Sequence, residues 1–136
     1  MATQIFQHKI TIPLQDIDAA GIVFFAHLFR YAHEAYEQFM LSIGFSLVDI
    51  LREKKYLIPL VHAEADYAMP LAHGDNISIS LRVEKVGTSS FTLVYIFTDE
   101  NKVERAVVKT VHVVLSAKDK KKTNVPAEWE QAMSHY

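Results

Sequence analysis

The chain has 136 residues, half of them hydrophobic, a formal net charge of −2 and no cysteine. That length suits one domain covering residues 1–136. The near-neutral charge argues against a nucleic-acid footprint, and the missing cysteine excludes disulfides, a thiol nucleophile and a thiolate zinc site. No apolar run approaches the ~20 residues that cross a bilayer, and the first seven residues lack the regions of a signal peptide. The expectation is a cytoplasmic protein, and a chain this short exposes enough surface that self-association is expected too.

Residues 5–14 alternate toward their end, with Ile10, Ile12 and Leu14 on one face, which predicts a strand. A turn or loop over Asp16–Gly21 follows. Residues 26–43 read as a helix. Arg30, His33, Glu34, Glu37 and Gln38 form a single polar stripe, and the apolar remainder is wide enough to be wrapped on several sides. Gly44 is a fitting stop. Ser46 with Asp49 three residues on resembles a capping box, opening a short helix to about Glu53.

The rest is strand-like. Residues 57–69 form one run. Residues 75–86 alternate, with Ile77, Ile79, Leu81 and Val83 opposite Ser78, Ser80, Arg82 and Glu84. Residues 89–98 are apolar on both faces, as in a central strand, and residues 102–116 alternate through Val107, Val111, Val113 and Leu115. The turns at Gly74-Asp75, Gly87-Thr88 and Asp99-Glu100-Asn101 are short and favour an antiparallel meander. Pro126 starts a last short helix carrying Trp129. One long helix against an antiparallel sheet is an α+β arrangement.

The chemistry concentrates in Asp16-Ile17-Asp18-Ala19-Ala20-Gly21-Ile22-Val23-Phe24-Phe25. Side chains two apart in an extended segment point the same way, and like charges that close raise at least one pKa. One carboxylate is then a candidate nucleophile or general base beside the unpaired N–H groups of a helix start. The alternative is a polar loop in which either acid caps the helix. Gly21 permits positive φ or close approach of a ligand, or is a plain turn glycine. Ile22–Phe25 read as a buried apolar wall that core packing alone would explain.

His33-Glu34-Ala35-Tyr36-Glu37 holds half of an H-E-x-x-H metal motif, but Glu37 stands where the second histidine belongs, so a polar stripe is the better reading. His27 lies near the helix start and could line a pocket. His62 could bond a substrate group or only the backbone. No GxSxG, P-loop or GxGxxG occurs. The lysines between Lys118 and Lys122 make a charged loop, able to meet phosphates but also explicable as a solvated turn.

Asp16 to Phe25 closely resembles the D-x-D-x-x-G-[IV]-V-[FYW]-[FY] motif of hotdog-fold acyl-CoA thioesterases of the 4-hydroxybenzoyl-CoA type. Pro70-Leu71-Ala72-His73-Gly74-Asp75 looks like the family's P-x-x-x-x-D turn, and the element order agrees. His33–Glu37 and Pro59-Leu60-Val61-His62-Ala63 resemble the branch that hydrolyses 1,4-dihydroxy-2-naphthoyl-CoA in menaquinone or phylloquinone synthesis. The resemblance implies an antiparallel sheet wrapped around the long helix, dimers with a continuous sheet that often pair into tetramers, and active sites at the dimer interface. It implies Asp18 as the catalytic acid, acting as nucleophile or general base, Asp16 as support, and the Phe25 N–H as the group polarising the thioester carbonyl. Gly21, Ile22, Val23, Phe25, His27, His62, Ser89 and Ser90 are the expected substrate-binding positions.

No cofactor is expected, because CoA is part of the substrate and thiolate is a good leaving group. Arginines that a characterised family member carries near the hairpin matching Gly87–Ser90 are missing here. Phe24, Phe25, Phe29 and Tyr31 would make a wall tolerant of an aromatic acyl group, although core packing explains the same residues; the resemblance implies 1,4-dihydroxy-2-naphthoyl-CoA as the substrate. A short or medium fatty acyl-CoA, a non-catalytic acyl-CoA binder and a hydroxyacyl dehydratase using His27 are the alternatives.

Overall fold

The computed structural model describes residues 3–136. Five antiparallel strands form one sheet in the order β1-β4-β5-β6-β3, made by β1 (Phe6–Thr11), β3 (Leu60–Tyr67), β4 (Asn76–Val86), β5 (Ser90–Thr98) and β6 (Glu104–Val113). The helix α1 (His27–Ser42) packs on one face, α2 (Leu47–Glu53) follows it, and α3 (Ala127–Met133) closes the chain. A two-stranded ribbon joins β2 (Tyr56–Leu57) to β7 (Leu115–Ser116). Sixteen helical residues span about 24 Å, enough to cross five strands spaced about 4.8 Å apart.

The periodicity of α1 decides how it sits. Leu28, Tyr31, Ala32, Ala35, Tyr36, Phe39 and Met40 are buried, and the five-residue polar stripe is exposed. Alanines at 32 and 35 let the helix approach the sheet closely. Gly44 (φ 92°) ends the helix, and the Phe45 N–H returns to the Met40 carbonyl at 2.9 Å. Opposite lie Ile77, Ile79 and Leu81 of β4 and Phe91, Leu93, Tyr95 and Phe97 of β5. Val94, on the other face of β5, is buried as well, as the two-sided apolar pattern of that strand requires.

Several local expectations are corrected. β1 ends at Thr11, and Leu14 opens a 3-10 turn with its side chain 67% exposed, so it does not share the buried side of Ile12. Residues 57–69 split, because residues 56–57 pair with β7 while residues 60–67 pair with β6. Ser46 makes no side-chain cap to α2. In β6 the core side is Ala106, Val108, Thr110 and His112, and Val107 and Val111 face away from the helix. The two polar members of the core set are satisfied internally. Thr110 Oγ1 lies 2.8 Å from the Tyr95 hydroxyl and 2.9 Å from His112 Nε2. His112 is stacked between Tyr36 and Phe91, and burial, with a smaller contribution from His33, pushes its pKa down to about 4.

β3 is an edge strand. Its partner on one side is β6, and its other edge is open. Seven of its eight residues are exposed, and Leu60, Val61 and Tyr67 present apolar surface there.

Candidate active site

Residues 12–26 form the approach to α1. A 3-10 turn over Leu14–Asp16 leads into a short hairpin in which the Asp18 N–H meets the Ile22 carbonyl at 2.9 Å and the Gly21 N–H meets the Asp18 carbonyl at 3.0 Å. Gly21 sits at φ 81°, a conformation that costs other residues a steric penalty. Asp18 Oδ1 accepts the Ala20 N–H at 2.8 Å, closing an Asx turn around its own backbone. The Val23 N–H bonds the Leu71 carbonyl at 2.8 Å and ties the hairpin to the segment before β4.

The two acids have different surroundings. Asp16 is buried, accepts hydrogen bonds from the Arg30 guanidinium and the Tyr31 hydroxyl, and has His27 Nε2 3.8 Å away. Burial alone would raise its pKa, but the Tyr31 and Arg30 hydrogen bonds and the Arg30 charge outweigh that and hold it below the ordinary carboxylate value. The expected mutual elevation of the two carboxylates is therefore absent at Asp16. Nor does either acid cap α1, whose N-cap is Ala26 without a side-chain bond. Asp18 is half-buried, and Oδ2 has no protein partner among the described residues.

Asp18 lines a cavity of about 320 Å³ with Ile22, Val23, Phe25, Leu28, Tyr67 and the 68–71 segment. Its walls are mostly apolar, and it lies at the small end of the roughly 300–1,000 Å³ usual for small-molecule sites. A larger, open groove of about 800 Å³ crosses the outer sheet face near Lys9, Ser78 and Lys102, but it touches neither acid. The Phe25 N–H meets no protein acceptor among the described residues, and Phe25 shares the cavity with Asp18.

The other expected positions divide. Gly21 shapes the hairpin, while Ile22, Val23 and Phe25 line the cavity. His27 packs edge-on against Phe24 and faces Asp16, outside the cavity lining. His62 lies on β3 with Nε2 3.1 Å from Glu64, and Ser89 and Ser90 open β5 at the end where Ser90 pairs with Val113. These three sit roughly 20 Å along the strands from Ala106, which lines the cavity, at about 3.4 Å per residue. The aromatic wall is smaller than expected. Only Phe25 of its four members lines the cavity, Phe24 is 43% exposed, Phe29 is half-buried, and Tyr31 is spent on Asp16.

Two contributors were not visible in the sequence. The Tyr67 hydroxyl donates to the Phe25 carbonyl at 2.9 Å, joining β3 to the helix start. Arg105 donates to the Pro70 carbonyl and pairs with Asp99 at 3.1 Å, while its own carbonyl accepts the N–H groups of Ala68 and Met69 at 3.0 Å each. One residue thereby fixes the 68–70 wall. Nothing in local periodicity marks an arginine that acts 35 residues away. Among the described residues no group of three or more His, Asp or Glu could hold a metal, and no helix is long and apolar enough to cross a membrane.

The fold is that of a hotdog thioesterase domain. Residues 12–133 match the thioesterase-like superfamily, and the chain belongs to that family. It is 35% identical over 124 residues to a 1,4-dihydroxy-2-naphthoyl-CoA hydrolase of Nostoc punctiforme, covering 90% of this chain and 82% of the relative. It is 36% identical over 117 residues to the hydrolase of the same name from Rippkaea orientalis, covering 83% of each. The crystal structure of a 1,4-dihydroxy-2-naphthoyl-CoA thioesterase from Synechocystis superposes with a TM-score of 0.90 at 30% identity, covering 96% of both chains.

Proposed function

We infer that the protein hydrolyses an acyl-CoA thioester, that Asp18 is its catalytic carboxylate, and that the substrate is 1,4-dihydroxy-2-naphthoyl-CoA. The observation that carries the reading is the contrast between the acids. Asp16 is committed to Arg30 and Tyr31, whereas Asp18 borders an apolar cavity at the start of α1 with one oxygen unclaimed. The naphthoyl specificity rests on the relatives, and the apolar walls suit an aromatic acyl group.

Thioester carbon bound near Phe25 would place its carbonyl oxygen toward that residue's free N–H, where the partial positive charge of the helix start adds to the polarisation. Two routes use Asp18. Its carboxylate attacks the carbon, expels CoA thiolate and leaves a mixed anhydride that water opens, or it takes a proton from water as the water attacks. Either way the products are the carboxylic acid and CoA thiol.

The functional unit in this reading is a dimer joined through β3. A two-fold axis normal to the sheet makes two copies of an edge strand antiparallel. The open edge and the exposed Leu60, Val61, Tyr67 and Met69 support this pairing. It would bring the start of one β3, with His62 and the Ser89-Ser90 turn nearby, beside the Tyr67 end of the other, where the Asp18 cavity lies. Those three residues would then serve the partner's site.

The test is CoA-thiol release by Asp18→Asn. The change is nearly isosteric, so a folded protein with activity reduced by ~10²–10⁴ is expected. Wild-type turnover by that variant overturns the assignment, and a larger loss in Asp16→Asn would move the role to the other acid. Incorporation of ¹⁸O into Asp18 during a single turnover in labelled water would establish the nucleophilic route, with water opening the anhydride at the Asp18 carbonyl.

A further inference from the structure

The wall of the Asp18 cavity made by residues 68–71 has no strand or helix of its own. A few contacts set its place, and most of them come from one residue. The Arg105 carbonyl accepts the N–H groups of Ala68 and Met69, and the Arg105 guanidinium donates to the Pro70 carbonyl. Each hydrogen bond of the 68–70 backbone among the described residues therefore runs to Arg105. At Leu71 the partner changes. Its carbonyl accepts the Val23 N–H at 2.8 Å, from the hairpin that carries Asp18. The wall is thus tied at one end to the acid's own hairpin and at the other to β6.

Arg105 is braced on two turns. Its Nη1 lies 3.1 Å from Asp99 Oδ2, and its Nη2 lies 3.5 Å from Asp75 Oδ2. Both acids are themselves fixed. Asp99 Oδ1 accepts the N–H groups of Asn101 and Val103 at 2.8 and 3.0 Å in the turn between β5 and β6, and Asp75 Oδ2 accepts the Ala72 N–H at 2.8 Å just before β4. The arginine side chain is only 15% exposed, and its Nε is buried without a partner among the described residues. A stranded donor costs stability, so the guanidinium is not placed for the largest number of bonds. Its placement follows the two acids and Pro70. Charge-assisted bonds from a rigid planar group hold direction as well as distance.

Resting on the hydrolase reading above, we propose that Arg105, braced by Asp75 and Asp99, is a positioning residue that sets acyl-group selectivity by holding the 68–71 wall at a fixed separation from Asp18. Arg105 acts through the wall. Its neighbour Ala106 lines the cavity, and Arg105 itself does not. A rigid bicyclic acyl group has no torsions with which to absorb a displaced wall, so its carbonyl shifts away from Asp18 when the wall shifts. A flexible alkyl chain adapts through its rotamers and keeps its carbonyl in reach. Misplacing the reacting atom by about 1 Å is enough to lose on the order of 10²-fold in rate. A loosened wall therefore penalises aryl esters more than alkyl ones.

The test compares wild type with Arg105→Met on 1-hydroxy-2-naphthoyl-CoA and octanoyl-CoA. The substitution keeps the two main-chain bonds of residue 105 and frees the wall at Pro70. For the naphthoyl ester kcat/KM should fall on the order of tenfold more than for the octanoyl ester, chiefly in kcat. A merely structural arginine would lower both by one factor, through the fraction of folded chains. That result overturns the proposal, as does no change in either. Arg105→Lys keeps the charge but cannot span both Asp99 and the Pro70 carbonyl. It should move the ratio in the same direction by less, and it carries the comparison if Arg105→Met does not fold. Calorimetry with ketone analogues of the two esters, in which a methylene separates carbonyl from sulfur, reads the wall without turnover. A larger loss of affinity for the naphthyl analogue supports the proposal even if neither ester is hydrolysed, a result that would sink the hydrolase reading alone. Equal losses for the two analogues, or none, overturn it.

Discussion

Asp16 and Asp18 share a charge, a loop and a spacing of two, yet the folded chain gives them different surroundings. Asp16 is held by a guanidinium and a phenol from the fourth and fifth residues of α1, and its depressed pKa makes it a stabilising group at neutral pH. A carboxylate whose folded pKa is depressed contributes fully above its unfolded value, here 3.8, and loses that contribution as pH falls toward the lower folded value. Asp16→Asn should therefore cost about 1–3 kcal/mol at pH 7 and flatten the acid limb of the stability curve, measured by urea unfolding from pH 7 to pH 3. Activity should survive better than in Asp18→Asn. From residue types alone the two acids were indistinguishable. The difference depends on Arg30 and Tyr31 reaching back across a hairpin, and no spacing rule along the chain reports such a contact. Resemblance to a known motif singled out Asp18 where the chemistry of the residues could not.

Elements were more legible than side chains. The 3.6-residue stripe of α1, the glycine stop at Gly44 and the alternation of β4 follow from local periodicity, and the structure carries them within a residue or two. β6 shows where periodicity stops being informative. Both of its sides carry valines, so alternation exists but does not say which side faces α1. The core side is the one with Thr110 and His112, because the Tyr95 hydroxyl bonds Thr110, Thr110 bonds His112, and Tyr36 stacks on the imidazole. His112 has a pKa near 4 against an ordinary 6.5. Being depressed, it favours the fold fully above pH 6.5, and that contribution shrinks as pH falls from 6.5 to 4, where the unfolded chain takes up a proton the folded one refuses. His112→Phe keeps the stacking on Tyr36 and Phe91 and should remove this slope, so wild-type stability should fall more steeply than the variant's between those values in chemical denaturation.

At the scale of the whole molecule, the pairing proposed through the open edge of β3 would tie assembly to chemistry. If the partner completes each site, activity per chain should decline on dilution in step with the monomer fraction from sedimentation. Ala63→Lys, which puts a charge on the exposed middle of that strand, should shift the protein to monomer and raise KM for the CoA ester with it. Constant specific activity across a dilution series that dissociates the dimer would refute the shared site. No part of this was visible in local patterning, since nothing along residues 57–69 says which edge of the strand is left open. The same bare edge has a cost before assembly is complete. A newly made chain offers the N–H and C=O groups of every other β3 residue, those turned away from β6, to any extended segment that arrives first, its mate or a misfolded neighbour. Refolding at high concentration therefore becomes a race between correct docking and aggregation, and a rise in recovered yield when chains are released slowly would be its signature.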